Sequence, residues 1–229
     1  MDINSLTQFS FYFGTAAMLC SAVFFFFERG EVSPKWRTSV TVAGLVTFIA
    51  FFHYWYMRDA WVAAFGSGDL TQLRYIDWLI TVPLQIVEFY LILKVVGKAT
   101  SGLFWQLLVA SVVMLVGGLL GEMDVIDEII GFVIGIIGWL FVVYLIFVGG
   151  AAKASAEGNN ESVQSAFNSM KLIVLVGWSI YPIGYMIGTE GWYDFVDVIP
   201  LDMDVVYNVG DAINKIGFGL VIYNLAVSK

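Results

Sequence analysis

Seven long apolar stretches follow one another along the chain, separated by short polar segments. Each is about 20 residues long, the length that a helix needs to cross the hydrocarbon core of a bilayer. Their apolar residues run continuously instead of alternating with a period of two, so the pattern predicts helices and not the strands of a β-barrel. The predicted spans are residues 6–27, 38–61, 72–95, 103–121, 129–151, 168–188 and 201–226.

The connecting segments are too short to hold a further domain. The longest, AKASAEGNNESVQS (152–165), is small and polar and is interpreted as a connector. A composition with 59% hydrophobic and 13% charged residues, and a mean hydropathy of +0.83, excludes a soluble domain of this size. The sequence therefore predicts an all-α integral membrane protein, a seven-transmembrane-helix bundle forming one domain over residues 1–229. The single Cys20 and the single His53 exclude a disulfide framework and a Cys- or His-rich metal site.

Basic residues are concentrated on one side of the predicted bundle, and the opposite side has only Arg58. Because cytoplasmic loops carry an excess of Lys and Arg, the basic side is predicted to face the cytoplasm, with the N-terminus outside and the C-terminus cytoplasmic. The net charge of −8 comes from an acidic outer side, so neither a basic partner nor nucleic acid is predicted. The basic set is Arg29, Lys35, Arg37, Lys94, Lys98, Lys153, Lys171 and Lys229; the acidic set is Asp2, Asp59, Asp69, Glu122, Asp124, Asp127, Glu128, Glu190, Asp194, Asp197, Asp202 and Asp204.

Ionisable residues inside the third span are the first candidates for function. A charge at the bilayer centre costs roughly 3 kcal/mol on insertion scales. Asp77 and Glu88 are eleven residues apart, which places them on one helix face about 16 Å apart along the axis, with Thr81 on the same stripe. This line of proton-capable groups indicates a proton path interrupted in the middle. The alternative is that each acid lies near a helix end and reaches water.

The last span carries Asp211 and Lys215 one turn apart, with the lysine near the midplane. Asp211 can supply the counter-charge, so a purely structural ion pair is one interpretation. Such a pair adds little net stability over apolar packing, which favours a functional role in lipid. A desolvated lysine is also the side chain that forms Schiff bases with aldehydes.

Aromatic residues at helical spacing accompany the lysine. Trp178, Tyr181 and Tyr185 share a face of the sixth span, and Trp78 and Trp139 add rings from the third and fifth. Facing a midplane lysine, they indicate a slot for a flat conjugated molecule, although core packing alone also explains such a stripe. Pro83 and Pro182 are expected to kink their helices.

Two further polar residues lie within the spans. His53 is about as deep from the outer end of the second span as Asp77 is in the third, so a hydrogen bond between them is predicted; a core histidine with other partners is the alternative. Gln85 is an uncharged polar residue within the third span.

The segments RYIDWLITVPLQIVEFYLIL, WSIYPIGY and NVGDAINKIGFGL together closely resemble the microbial (type I) rhodopsins, and within them the proteorhodopsins. The resemblance covers nearly the whole chain. It implies that Lys215 holds all-trans retinal as a protonated Schiff base, with Asp77 and Asp211 as counter-ions. It further implies that Asp77 is the primary proton acceptor, that Arg74 lies beside the counter-ions and that Glu88 is the cytoplasmic donor.

The resemblance also implies roles around the cofactor. His53 would be hydrogen-bonded to the acceptor aspartate, and Gln85 occupies the position that distinguishes the blue-absorbing branch (Gln) from the green-absorbing one (Leu). Tyr185 replaces a tryptophan of the haloarchaeal pump, and no outer pair of glutamates for proton release is found. The implied retinal pocket is Trp78, Thr81, Gln85, Met114, Gly118, Trp139, Trp178, Tyr181 and Tyr185.

The function that the resemblance implies is a light-driven outward proton pump, a transporter and not an enzyme. Its partners would be retinal, protons and the lipid bilayer of a bacterial plasma (inner) membrane, and the family forms ring-shaped homo-oligomers, pentamers or hexamers. A sensory rhodopsin with a slow photocycle that signals through a partner is the alternative, although it does not require the carboxyl group of Glu88. A chloride or sodium pump fits the Asp77–Thr81–Glu88 triplet less well, and a retinal-free transporter or receptor remains a third possibility.

Overall fold

The computed structural model describes residues 3–64, 70–188 and 202–228. Within these ranges the chain is helical, and seven helical segments are long and apolar enough to cross a membrane, which confirms the predicted seven-helix fold. The spans are Leu6–Glu28, Pro34–Ala63, Thr71–Val95, Ser101–Glu122, Glu128–Glu157, Glu161–Ile187 and Met203–Val227. Several predicted features lie outside the described residues: Asp2, Asp69, Glu190, Asp194, Asp197, Lys229 and the start of the last span at Leu201.

The helices are numbered here in chain order. A short 3₁₀ turn (Pro34–Trp36) leads into the second, and a π-helical turn (Ile173–Gly177) joins the seventh to the eighth. Their bounds are α1 Ile3–Glu28, α2 Arg37–Ala63, α3 Thr71–Val95, α4 Ser101–Glu122, α5 Glu128–Phe147, α6 Gly150–Glu157, α7 Glu161–Leu172, α8 Ile180–Gly188 and α9 Met203–Val227.

The predicted connector at 152–165 is largely helical, which corrects the sequence interpretation. Helix α6 continues the fifth span to Glu157, and α7 starts the sixth at Glu161. The Asn160 side chain accepts a hydrogen bond from the backbone N–H of Val163 at 2.9 Å and so caps α7. The pattern was misleading because alanine, serine and glutamate are compatible with a helix that extends beyond the lipid, where no apolar surface is required.

The bundle turns its polar side chains inward and many of its large apolar ones outward. Arg74, Asp77, Glu88, Asp211 and Lys215 are all at most 2% exposed. Phenylalanines, tryptophans and leucines on the outer faces of several helices are exposed instead, as expected for surfaces that meet lipid. The site therefore lies where α2, α3 and α9 meet inside the bundle.

Tight packing between neighbouring helices and hydrogen bonds between the first and last segments enclose that interior. Helices α4 and α5 approach so closely that a Cβ on Gly131 would come within 2.7 Å of the Gly121 Cα. Such small residues allow the backbone-to-backbone packing that drives helix association in lipid. Hydrogen bonds join both ends of α1 to the last helical segment. Near the start of α1, Thr7 donates to Asp202, the residue before α9, and at its last residue, Glu28 accepts from the Tyr223 hydroxyl at 2.6 Å.

Candidate functional site

One face of α9 carries a line of polar residues into the bundle. Asp204, Asn208, Asp211 and Lys215 follow one another at intervals of four, three and four residues, the spacing of neighbours on one helix face. Lys215 lies deepest in this series. Its Nζ donates to Asp211 Oδ2 at 2.6 Å and to Asp77 Oδ2 on α3, so one buried cation is shared by two carboxylates. The structure thus brings Asp77 of α3 together with Asp211 and Lys215 of α9.

The two carboxylates have very different surroundings. Besides Lys215, Asp211 accepts hydrogen bonds from the Tyr54 hydroxyl (3.0 Å), the Trp78 indole (3.4 Å) and the Tyr181 hydroxyl (2.5 Å). Asp77 is equally buried, but its Oδ1 has no hydrogen-bond partner among the described residues. Protonation of Asp211 would therefore disturb several donors, whereas Asp77 has an oxygen free to take a proton.

Arg74 lies on the side of this pair that is predicted to face outward. Its Nη2 donates to Asp204 Oδ1 at 2.6 Å and to Asn208 Oδ1 at 2.9 Å. Asn208 in turn donates to the Ser10 hydroxyl of α1 at 2.9 Å. The prediction placed Arg74 beside the counter-ions; in the structure its charge is paired with Asp204, a residue that the sequence analysis treated only as part of the acidic outer side.

Glu88 lies about 16 Å from Asp77 along the axis of α3, towards the side that is predicted to face the cytoplasm. It is 1% exposed, and neither carboxylate oxygen has a hydrogen bond of normal geometry within the described structure. Ser39 of α2 is close enough to interact with it electrostatically. Phe89, the next residue, packs edge-on against Phe167 and Phe218, so apolar rings surround this end of the interior. A carboxyl group in such a place favours its neutral form.

An apolar cavity lies beside the lysine site, between α3, α4, α5 and the sixth span. Seven of the ten residues predicted to bind the cofactor line it: Trp78, Met114, Gly118, Trp139, Trp178, Tyr181 and Tyr185. The structure adds lining residues that the sequence analysis did not assign to the pocket: Tyr75, Val82, Leu115, Phe132, Gly135, Ile136 and Pro182.

These walls fit a flat conjugated aldehyde. The rings of Trp78 and Tyr181 meet edge to face, with centroids 4.8 Å apart, and Tyr181 also reaches Asp211, so the cavity adjoins the lysine cluster. At Gly118 an added Cβ would collide with the Tyr75 hydroxyl, so any side chain there would disturb the wall. An aromatic slot next to a buried amine has both the shape and the reactive group that retinal requires.

The sixth span is interrupted at the height of this cavity by the π-helical turn Ile173–Gly177. Two carbonyls of the turn accept side-chain hydrogen bonds, Val174 from the Trp139 indole at 3.1 Å and Gly177 from the Asn214 amide at 2.9 Å. Such turns are common at functional sites because they redirect side chains.

Pro182 lies directly after that break, as the third residue of α8. It has no N–H for the Trp178 carbonyl four residues before it, which is the local effect expected of a proline. The Tyr181 N–H bonds instead to the Trp178 carbonyl at 3.1 Å. The regular helix of the sixth span is thus interrupted directly before Pro182, whereas α3 continues through Pro83 from Thr71 to Val95.

Three predicted site residues are not placed as expected. No hydrogen bond joins the half-buried His53 to Asp77, whose Oδ1 stays unpartnered and whose Oδ2 bonds Lys215. Thr81 is buried but donates to the backbone carbonyl of Asp77 at 2.9 Å. Gln85 is buried one turn beyond Val82, past the described cavity lining, and its Nε2 has no hydrogen-bond partner in the described structure.

Tyr54, Asn208 and Asn214 were missed by the sequence analysis. Tyr54 follows His53 directly, yet it is Tyr54 that reaches the site, because it faces the interior and is fully buried. Asn208 and Asn214 could have been found from the sequence, because a side-chain amide within an apolar span, like an acid there, needs a hydrogen-bond partner in the interior.

Comparison with known proteins places the chain among retinal proteins. Residues 5–229 match the family described as Bacteriorhodopsin-like protein, so the chain belongs to that family. It is 46% identical to the green-light absorbing proteorhodopsin of Gamma-proteobacterium EBAC31A08, over 100% of this chain and 90% of that protein.

Solved structures show the same similarity. The blue light-absorbing proteorhodopsin from Med12 is 47% identical, with a TM-score of 0.78 over 96% of this chain and 97% of that chain. Xanthorhodopsin, described as a light-driven ion pump with dual chromophore, is 29% identical, with a TM-score of 0.81 over 97% of this chain and 92% of that chain.

Proposed function

We propose that this protein is a light-driven outward proton pump that carries all-trans retinal as a protonated Schiff base on Lys215. The observation that carries the proposal is the buried Lys215 nitrogen, shared by Asp77 and Asp211 and adjoining an aromatic cavity. Membership of the family and similarity to proteorhodopsins and to a light-driven ion pump support it. When bound, retinal would supply a light-driven bond rotation that changes the direction in which the Lys215 nitrogen presents its proton.

The protein's own groups determine where that proton goes. Asp77 receives it, because its Oδ1 has no competing donor. Asp211 keeps its negative charge, since Tyr54, Trp78 and Tyr181 all donate to it. It therefore stays in place as the fixed counter-charge of the site while Asp77 changes state.

The return proton comes from the other side. Glu88, surrounded by apolar side chains and with Ser39 as its polar neighbour, holds a proton at rest and gives it to the Lys215 nitrogen. The end of the bundle near Glu88 carries Lys94 and Lys98, which is the cytoplasmic side by the positive-inside rule. Transport from Glu88 towards Asp77 is therefore outward.

The remaining assignments follow from the resemblance. The chain forms a single retinal-binding domain over residues 1–229 in the bacterial inner membrane and assembles into a ring-shaped homo-oligomer. The chain is 47% identical to a blue-absorbing relative and 46% identical to a green-absorbing one, so overall sequence identity does not distinguish the two colours. We propose blue absorption because residue 85 is a glutamine.

Reconstitution with all-trans retinal tests the function directly. A visible band that hydroxylamine bleaches is expected in the native chain and in Lys153→Ala, a control lysine on α6, and is expected to be absent in Lys215→Ala. Illuminated cells should acidify the medium, and a protonophore should abolish the signal. A pigment that forms but moves no protons would support the sensory alternative, and a colourless native chain would exclude a retinal protein.

A further inference from the structure

Among the described basic side chains, only Arg74 and Lys215 are buried in the interior. The hydrogen bonds of Arg74 to other side chains all come from one nitrogen of its guanidinium. Its Nη2 bonds Asp204 and Asn208, and its guanidinium lies 5.2 Å from the Tyr207 ring centroid. Its Nη1 has no hydrogen-bond partner among the described groups. The two N–H groups of Nη1 are therefore available to another acceptor.

The nearest acceptor of that kind along α3 is Asp77. Arg74 and Asp77 are three residues apart, so they are neighbours on one helix face, and the Asp77 Oδ1 is a buried acceptor without a donor. A guanidinium and a carboxylate in this relation attract each other strongly in a low-dielectric interior. The ion pair with Asp204 opposes that attraction, because it holds the guanidinium at the outer side.

We propose that Asp204 is a positioning residue, which keeps Arg74 on the predicted outer side and so leaves Lys215 as the cation bonded directly to Asp77. The inference rests on the proposed pump function. A second cation at Asp77 would stabilise its ionised form and oppose uptake of the proton from Lys215. Asp204 therefore makes Asp77 an effective acceptor without touching it.

Asp202 provides a matched control at the same end of α9. It is two residues from Asp204 and carries the same charge, but its side chain accepts the backbone N–H of Asp204 at 2.9 Å and the hydroxyl of Thr7. No described contact joins it to Arg74. Asn is as good an N-cap as Asp, so Asp202→Asn should keep the helix start intact.

The experiment compares Asp204→Asn with Asp202→Asn after reconstitution with all-trans retinal. In Asp204→Asn the dark absorption band should shift to the red, because a cation moving towards the two carboxylates weakens the negative charge next to the Lys215 nitrogen. The initial rate of light-driven acidification should fall by about tenfold, since a new charge within 4–6 Å changes a carboxyl protonation equilibrium by about one to three decades. Asp202→Asn should match the native protein. Equal effects in the two variants would overturn the proposal, because they would reflect only the loss of one surface charge.

A retinal-free measurement tests the contact itself. Solid-state NMR with ¹⁵N-arginine and ¹³C-aspartate is run in an Asp59→Asn background, which removes the exposed Arg58–Asp59 ion pair. The coupling between an arginine Nη and the Asp204 Cγ should persist in Asp202→Asn, and in Asp204→Asn it should be replaced by a coupling to the Cγ of a different aspartate, Asp77. Absence of the new coupling in Asp204→Asn would refute the positioning role even if the pigment fails to form. In an Arg74→Gln background, Asp204→Asn should produce no further spectral shift. If the native chain neither colours nor acidifies, the proposed function fails, whereas the coupling still decides whether Asp204 holds Arg74.

Discussion

Removing the charge of Asp211 should cost far more stability than removing the charge of Asp77, although both are buried and both bond Lys215. In Asp77→Asn, the new amide can place its NH₂ where no described donor faces it and keep its oxygen towards Lys215. In Asp211→Asn, the NH₂ must face Tyr54 or Tyr181, each of which now donates to a carboxylate.

The magnitude follows from those two hydroxyl contacts. A hydrogen bond to a charged group contributes roughly 1.5–3 kcal/mol, and a neutral one about 1 kcal/mol. Two charge-assisted bonds become at best two neutral ones, so Asp211→Asn should lose about 1–4 kcal/mol more than Asp77→Asn. Each variant keeps one carboxylate for Lys215, so the cost of an unpaired buried charge does not enter the difference.

Equilibrium unfolding of the retinal-free chain in mixed micelles with increasing dodecyl sulfate, followed by circular dichroism, measures both variants. Tyr54→Phe should lose about 1–3 kcal/mol for one donor, and Tyr56→Phe, two residues away on the same helix but exposed, should lose close to nothing. If Asp77→Asn proves as destabilising as Asp211→Asn, the hydrogen-bond asymmetry does not distinguish the two acids, and the assignment of Asp77 as acceptor loses its structural basis.

Three further variants test the proposed roles. Asp77→Asn should keep a visible band, shifted to the red because one counter-charge is lost, but should not acidify the medium in the light; continued acidification would refute the acceptor role. Glu88→Gln should slow recovery of the dark spectrum after a flash, because the inner proton source is removed, and unchanged recovery would exclude it as donor. Gln85→Leu should move the band from blue towards green, and an unmoved band would show that Gln85, which lies past the cavity lining, does not act on the chromophore.

The sequence was sufficient for the helices and for the polar stripes on them. Spans of about 20 apolar residues predict transmembrane helices because the bilayer leaves the backbone few alternatives. Helical periodicity likewise places Asp77 with Glu88, and Asp211 with Lys215. Outside the lipid this constraint ends, which is why residues 152–165 look like a connector by hydropathy although most of them are helical.

Contacts between helices were much less predictable, because they depend on rotation and depth that spacing does not define. His53 and Asp77 have similar depths, yet the adjacent Tyr54 faces the site instead, at a rotation of about 100° from His53. Arg74 and Asp77 are neighbours on α3, yet Arg74 bonds Asp204 across to α9. In both cases the decisive partner lies on another helix.

One-way proton movement, as proposed here, requires buried carboxyl groups that differ in what surrounds them. Asp211 is held by donors from α2, α3 and α8 as well as by Lys215, so it is the carboxylate least able to change its protonation state. Asp77 has one oxygen in use and one free. Glu88 has no hydrogen bond of normal geometry within the described structure, with Ser39 as its polar neighbour, and lies among apolar rings. Among the described residues, a proton leaving Lys215 therefore finds an available base in Asp77, and a proton returning to Lys215 finds an available acid in Glu88, towards the side predicted to be cytoplasmic.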